Sequence, residues 1–177
     1  MLGNFVMTST KLAQFLLRPT GTIPYRLVQG LGLVIVHFSI LEWKIEQTIW
    51  ALRKNSRDIG RQYTRRKKFH QRVTALEKEL KKHSRRLSPD GREVYATLVK
   101  VSKDMALDRN FAVHGLWSKG LQRGSRRKYF VLSYYDNPDG SAREVDVRTL
   151  RTMSNNVARV IRLFDESAPR YLGRPLP

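Results

Sequence analysis

Asp108-Arg109-Asn110-Phe111-Ala112-Val113-His114-Gly115-Leu116-Trp117 is the stretch on which the reading of this chain turns. It closes a long pattern of helical periodicity. It also gathers an Arg, an Asn and a His into six residues ahead of a Gly placed where a helix should stop. A buried helix end has little use for three such groups, because a buried polar side chain costs free energy unless it is paired. The same Arg-x4-His spacing recurs at Arg65 and His70, but there it falls in a run of cations rather than after an apolar stripe. Context, more than spacing, singles out Arg109 and His114.

Working outward toward the N-terminus, Ser88-Pro89-Asp90 is a helix start: Ser as N-cap, Pro at the first helical position, and acids at Asp90 and Glu93 near the positive end of the helix dipole. Val94, Leu98, Val101 and Met105 continue the stripe, so a helix is predicted over 89–114. Before it, Phe69, Val73, Leu76, Leu80 and Leu87 predict a helix over 63–87, preceded by a break at 55–60. Val34, Phe38, Leu41, Ile45, Ile49 and Leu52 predict a helix over 31–54. Val36, Ile40, Trp43 and Trp50 form a second apolar face on it, so burial on both sides is expected. Glu42 lies in the first of these stripes, where an ionised carboxylate needs a partner. Residues 1–30 read as an N-terminal extension with a short helix from Thr10 to Leu17.

Toward the C-terminus, Lys119 to Lys128 reads as a basic loop. A strand-like run, Tyr129 to Tyr135, the turn Asn137-Pro138-Asp139-Gly140 and a second strand around Glu144 to Val147 predict a β-hairpin over 128–148. A last helix is expected over 149–166, with Leu150, Met153, Val157, Val160 and Phe164 on one face. An extended tail, 169–177, should follow.

Arg109-Asn110-x-x-x-His114, followed by Gly115-Leu116-Trp117 and set among helical segments, resembles the signature of the HEPN (higher eukaryotes and prokaryotes nucleotide-binding) superfamily. The resemblance spans about Leu31 to Ser167. It implies a mainly α fold: a helical bundle of about four principal helices plus the short N-terminal one, with the β-hairpin appended before the last helix, in a single domain over 31–168. It also implies a metal-independent RNase acting as a homodimer, in a bacterial toxin–antitoxin or phage-defence setting. Many members of that superfamily have lost activity, so the resemblance speaks to fold more than to catalysis.

Composition narrows the partners. Lys and Arg number 34 against 15 Asp and Glu, a formal net charge of +19, which points to a polyanion: nucleic acid first, an acidic protein partner second. The chain has no Cys, which excludes disulfides and thiolate metal sites, and its four His lack ligand spacing. No metal and no cofactor are expected. The most apolar run, Leu31 to Leu41, is shorter than the ~20 residues a membrane span requires. No secretory leader is recognised, so a cytoplasmic protein with no membrane partner is expected.

The chemistry has two readings. On a continuous helix, Asn110 and His114 lie about 40° apart, whereas Arg109 is about 140° from His114. In one reading Arg109 turns inward and pairs with Glu42 as a structural knot. In the other, guanidinium and imidazole converge on a phosphate, with His114 transferring a proton, Arg109 binding the anion, and Asn110 orienting one or the other. Glu42 could support the second arrangement from behind. One protomer offers a single strong acid/base candidate, so a two-fold dimer would complete the pair. The cations proposed to grip nucleic acid are Arg65, Arg66, Lys67, Lys68 and Arg72 on the second long helix, and Lys119, Arg123, Arg126, Arg127 and Lys128 in the loop. A non-catalytic nucleic-acid-binding or regulatory module uses the same cations without the cleavage step.

Overall fold

Val34, Phe38, Leu41, Ile45, Ile49 and Leu52 wind into one helix, α1, Tyr25–Arg53, and all six side chains are buried. The computed structural model describes residues 25–120, 128–132 and 142–173. The helix begins six residues before the expected start at 31, so the last part of the supposed extension is helical. Gly30 fits within it because it faces a neighbour: a Cβ there would lie 3.2 Å from Leu150 Cδ1.

The second face of α1 departs from expectation. Trp50 is buried against Gly60, which leaves no room for a Cβ, and Trp43 meets Trp50 edge-on at 5.2 Å. Val36 and Ile40, by contrast, are 53% and 38% exposed, so that face is not covered along its length. By length and composition α1 is apolar enough to cross a membrane, and 22% of its most apolar window is buried.

The helix ends in a Schellman arrangement. Lys54 N–H donates to Ala51 O at 3.2 Å and Asn55 N–H to Trp50 O at 3.0 Å. This requires a left-handed residue after the last turn, and Lys54 takes it, at φ 56°.

Residues 55–87 are not one break and one helix. A short helix, α2, spans Arg57–Thr64; α3 spans Phe69–Lys82; and a 3-10 turn follows at Ser84–Arg86. Gly60, read as a breaker, lies inside α2 because Trp50 needs a bare backbone beside it. Thr64 Oγ1 donates back to Gly60 O at 3.2 Å at the end of α2. Gln71, third in α3, then accepts from the Lys68 N–H at 2.8 Å and starts the next helix. Arg65, Arg66, Lys67 and Lys68 therefore occupy the connection between two helices rather than a helix face.

Helix α4, Pro89–His114, matches its predicted bounds. Ser88 Oγ accepts from the Gly91 N–H at 3.1 Å, and Gly115 follows the last residue, its N–H donating to Phe111 O at 3.0 Å. Three strands come next, Leu116–Gly120 (β1), Lys128–Leu132 (β2) and Ala142–Val145 (β3), paired antiparallel in the order β1-β2-β3. Leu116 stands opposite Leu132 and Gly120 opposite Lys128, while Tyr129 stands opposite Val145. The backbone of Lys119 and Gly120 is thus strand, where a loop was expected; the turn expected at 137–140 lies outside the described residues.

Helix α5, Val147–Leu172, starts at Asp146, whose carboxylate accepts from the Thr149 N–H at 2.6 Å and the Thr149 hydroxyl at 2.7 Å. It continues past the expected end at 166 with Pro169 inside it, so the supposed tail is helical as far as Leu172. Proline removes one helical donor without forbidding further turns. Tyr171, beyond it, packs on Gly91, where a Cβ would meet Tyr171 Cδ1 at 2.9 Å.

The protein is mainly helical, and the chain divides into two compact units. One takes Met1–Ile35 and Leu107–Met153; its described core is Leu27, Val34, Phe111, Ala112, Val145, Leu150 and Met153. The other takes Val36–Ala106 and Ser154–Pro177. There Phe38 meets Phe69 edge-on at 6.0 Å, Tyr95 lies 6.5 Å from Phe164, and Leu41, Ile45, Leu76 and Leu98 are fully buried.

Candidate functional site

Within the first unit, the last turn and a half of α4 carries Arg109, Asn110 and His114. Arg109 Nη1 donates to His114 Nε2 at 3.1 Å. A guanidinium has donors only, so this contact is a hydrogen bond when the imidazole nitrogen facing it accepts, with the ring hydrogen on Nδ1. Ideal helical geometry sets the two Cβ directions far apart, and the long Arg side chain spans the gap. His114 is exposed, while Arg109 and Asn110 are half-buried. The structure thus brings Arg109 and His114 into direct contact, with one imidazole nitrogen held as an acceptor beside a permanent cation.

Glu42 belongs to the second unit, where Arg72 is its partner through Nη1. Arg72 also reaches Glu46: its Nε lies 2.8 Å from Glu46 Oε1, an ion contact without hydrogen-bond alignment. Glu42 and Glu46 are one turn apart on α1, and a single guanidinium bridges both. The side chains of all three are less than a fifth exposed. Arg72, expected among the nucleic-acid contacts, is therefore committed to the interior of its own unit.

The remaining cations separate by surroundings. Arg65, Arg66 and Lys68 are exposed, and Lys67 sits with its ammonium 4.3 Å from the Tyr63 ring centroid. Arg53 lies 4.2 Å from the same centroid and donates to Glu79 Oε1 at 2.6 Å. His83 Nε2 is 3.5 Å from Glu79 Oε2, and His37 Nδ1 lies 3.1 Å from Ser154 O and 2.9 Å from Ser154 Oγ. His70 is exposed. Lys119 and Lys128 belong to β1 and β2; Arg123, Arg126 and Arg127 lie outside the described residues.

The Lys103 ammonium first, and that of Lys81 second, hold the Glu77 carboxyl below its ordinary value. Asp146 is held below the usual carboxylate range by the Thr149 hydroxyl first and the Thr149 N–H second. Burial pushes the Tyr95 phenol well above its ordinary value, and its oxygen has no hydrogen-bond partner. Among the described residues, no group of three or more His, Asp or Glu side chains is arranged to hold a metal ion.

The cationic run from Arg57 to Arg86 also includes Lys78, Lys81, Lys82, Arg85 and Arg86, all exposed on α3 or the turn after it. The signal is in the sequence, where that run holds twelve Lys or Arg against three Asp or Glu. No protein-family model matches this chain, and no curated protein or solved structure matches it either.

Proposed function

We propose that the chain is a metal-independent endoribonuclease of HEPN type, with Arg109 and His114 as its reacting pair. The observation that carries this reading is the 3.1 Å contact between Arg109 Nη1 and His114 Nε2 at the exposed end of α4. It places a proton acceptor beside a guanidinium that can bind phosphate in bidentate fashion.

The step is internal transesterification. When RNA enters, Arg109 turns from His114 to the scissile phosphate, freeing the Nε2 lone pair to take the 2′-OH proton. The 2′-oxygen attacks phosphorus, the bond to the 5′-oxygen breaks, and that oxygen takes a proton from a second acid. The products are a 2′,3′-cyclic phosphate and a free 5′-hydroxyl. The acid is the His114 of a second copy across a two-fold axis, which enters the step as the imidazolium and leaves it neutral, and Asn110 orients the phosphate or the imidazole. Exposed apolar side chains of the first unit, Leu107 at 60% and Leu33 at 52%, suit burial by that copy. Trp50 itself is buried against Gly60, whereas Val36 and Ile40 on the same helix face are exposed.

In this reading β2 and β3 form a hairpin appended to the bundle, and the cations before it join the RNA-binding surface. The unpaired cations equally support a second reading, a non-catalytic nucleic-acid-binding or regulatory module. Incubation of purified protein with RNA in excess EDTA separates the two. Cleavage to 2′,3′-cyclic phosphate ends is the expected result; stable binding without cleavage overturns the catalytic reading.

A further inference from the structure

The exposed surface of α3 is a cationic ridge whose neighbouring acids are all engaged. His70, Gln71, Thr74, Lys78, Lys81 and Lys82 face solvent along it, and the carboxylate beside them, Glu77, is half-buried. Glu79 is buried with Arg53, and Glu77 binds Lys103 at 2.7 Å and Lys81 at 3.2 Å. Arg65, Arg66 and Lys68 lead into the ridge, and Arg85 and Arg86 continue it. Among the described residues, Arg65, Arg66, Lys68, Lys78, Lys82, Arg85 and Arg86 take part in no salt bridge.

Half of this arrangement works against the fold. Cations at the C-terminal end of a helix are favoured by its dipole, which accounts for Lys81 and Lys82. Cations at the N-terminal end are disfavoured, yet three exposed ones precede α3, and its first turn has no acid to offset them. Mutual repulsion adds to the cost. An external polyanion is the partner that would compensate for both.

We infer that this ridge binds the backbone of double-helical nucleic acid, in preference to a single strand. The two ends of α3, 14 residues long, are about 20 Å apart at 1.5 Å per residue, and the helix holds them rigidly. A duplex presents one charge per ~1.7 Å of axis, about twice the density of one strand, along an equally rigid line. Single-strand binding draws instead on aromatic platforms for the bases. The aromatic beside the ridge, Tyr63, is half-buried with Arg53 and Lys67 on its ring. This inference deepens the proposed function by naming its substrate class. It rests on nucleic acid being the partner and is independent of whether cleavage occurs.

The test is equilibrium binding of a 2′-O-methylated RNA duplex, which cannot be cleaved through its 2′-oxygen, against its separate strand over a salt series. Loss of nuclease activity leaves this readout untouched. The duplex should bind about tenfold tighter or more, which corresponds to 1.4 kcal/mol. R65Q/R66Q/K68Q and K78Q/K82Q/R85Q/R86Q should each lower duplex affinity and flatten its salt dependence, by about 2–3 and 3–4 in log–log slope respectively. These side chains are on the surface, and circular dichroism checks that the variants remain folded. Equal or tighter binding of the single strand overturns the inference. So does a loss confined to one group of cations, or tighter binding to acidic lipid vesicles or polyglutamate than to the duplex.

Discussion

Arg109 Nη1 lies 3.1 Å from Nε2 of His114 across the last turn and a half of α4, a contact that favours the imidazole tautomer with its hydrogen on Nδ1. A protonated ring would present a donor to a donor there. Nitrogen-15 spectra of His114 in its neutral form should therefore show the hydrogen mainly on Nδ1. Arg109→Ala removes the opposing donor and should move the population toward Nε2–H. An unchanged tautomer ratio in that variant contradicts the contact.

Arg72 is the structural cation of the second unit, bridging Glu42 and Glu46. Arg72→Met should leave two largely buried carboxylates one helical turn apart and destabilise the protein by about 3–5 kcal/mol. Neutralising both in R72M/E42Q/E46Q should recover most of that loss. Chemical denaturation checks both variants, and a destabilisation under ~1 kcal/mol for Arg72→Met would show the pair to be a solvated one.

Much of the fold is legible in the residues and some is not, for physical reasons. Ser88-Pro89 and Gly115 bound α4 because a side-chain cap and a bare backbone are local devices. The stripe from Val34 to Leu52 is legible because periodicity reports one buried face. The division between α2 and α3 is not, since helical period continues through Tyr63 and Phe69 and the stop depends on a Thr64 back-bond and the Gln71 cap. Gly60 reads as a breaker unless the ring of Trp50 beside it is known. Pro169 reads as a terminus unless Tyr171 is seen packing on Gly91. Arg109 is illegible in a different way: its Cβ points away from His114, and only the reach of its side chain closes the gap.

Lys54 occupies a left-handed position at the end of α1, where a Cβ costs roughly 1–2 kcal/mol and glycine costs little. After the added entropy of glycine in the unfolded chain, Lys54→Gly should stabilise the protein by about 0.5–1 kcal/mol. Thermal denaturation measures it. A lower midpoint would mean that the Lys54 side chain holds something the backbone does not reveal.

Asp146 caps α5 through Thr149, and both hydrogen bonds favour its ionised form. A carboxylate lowered on folding contributes stability above its unfolded pKa and loses it as pH falls through the folded one. Asp146→Ala should therefore cost about 0.5–2 kcal/mol at neutral pH. The difference from wild type should shrink below about pH 4. A difference that stays constant on acidification would assign the loss to packing instead.

The most direct measurement of the central claim is the RNA cleavage rate of His114→Ala per folded molecule, in EDTA, beside its RNA affinity. The account predicts a rate lower by about 10²–10⁴-fold with affinity and stability nearly unchanged, and His70→Ala, which shares the Arg-x4-His spacing, indistinguishable from wild type. Cleavage that persists in His114→Ala, or a variant that unfolds while its folded fraction stays active, would contradict it.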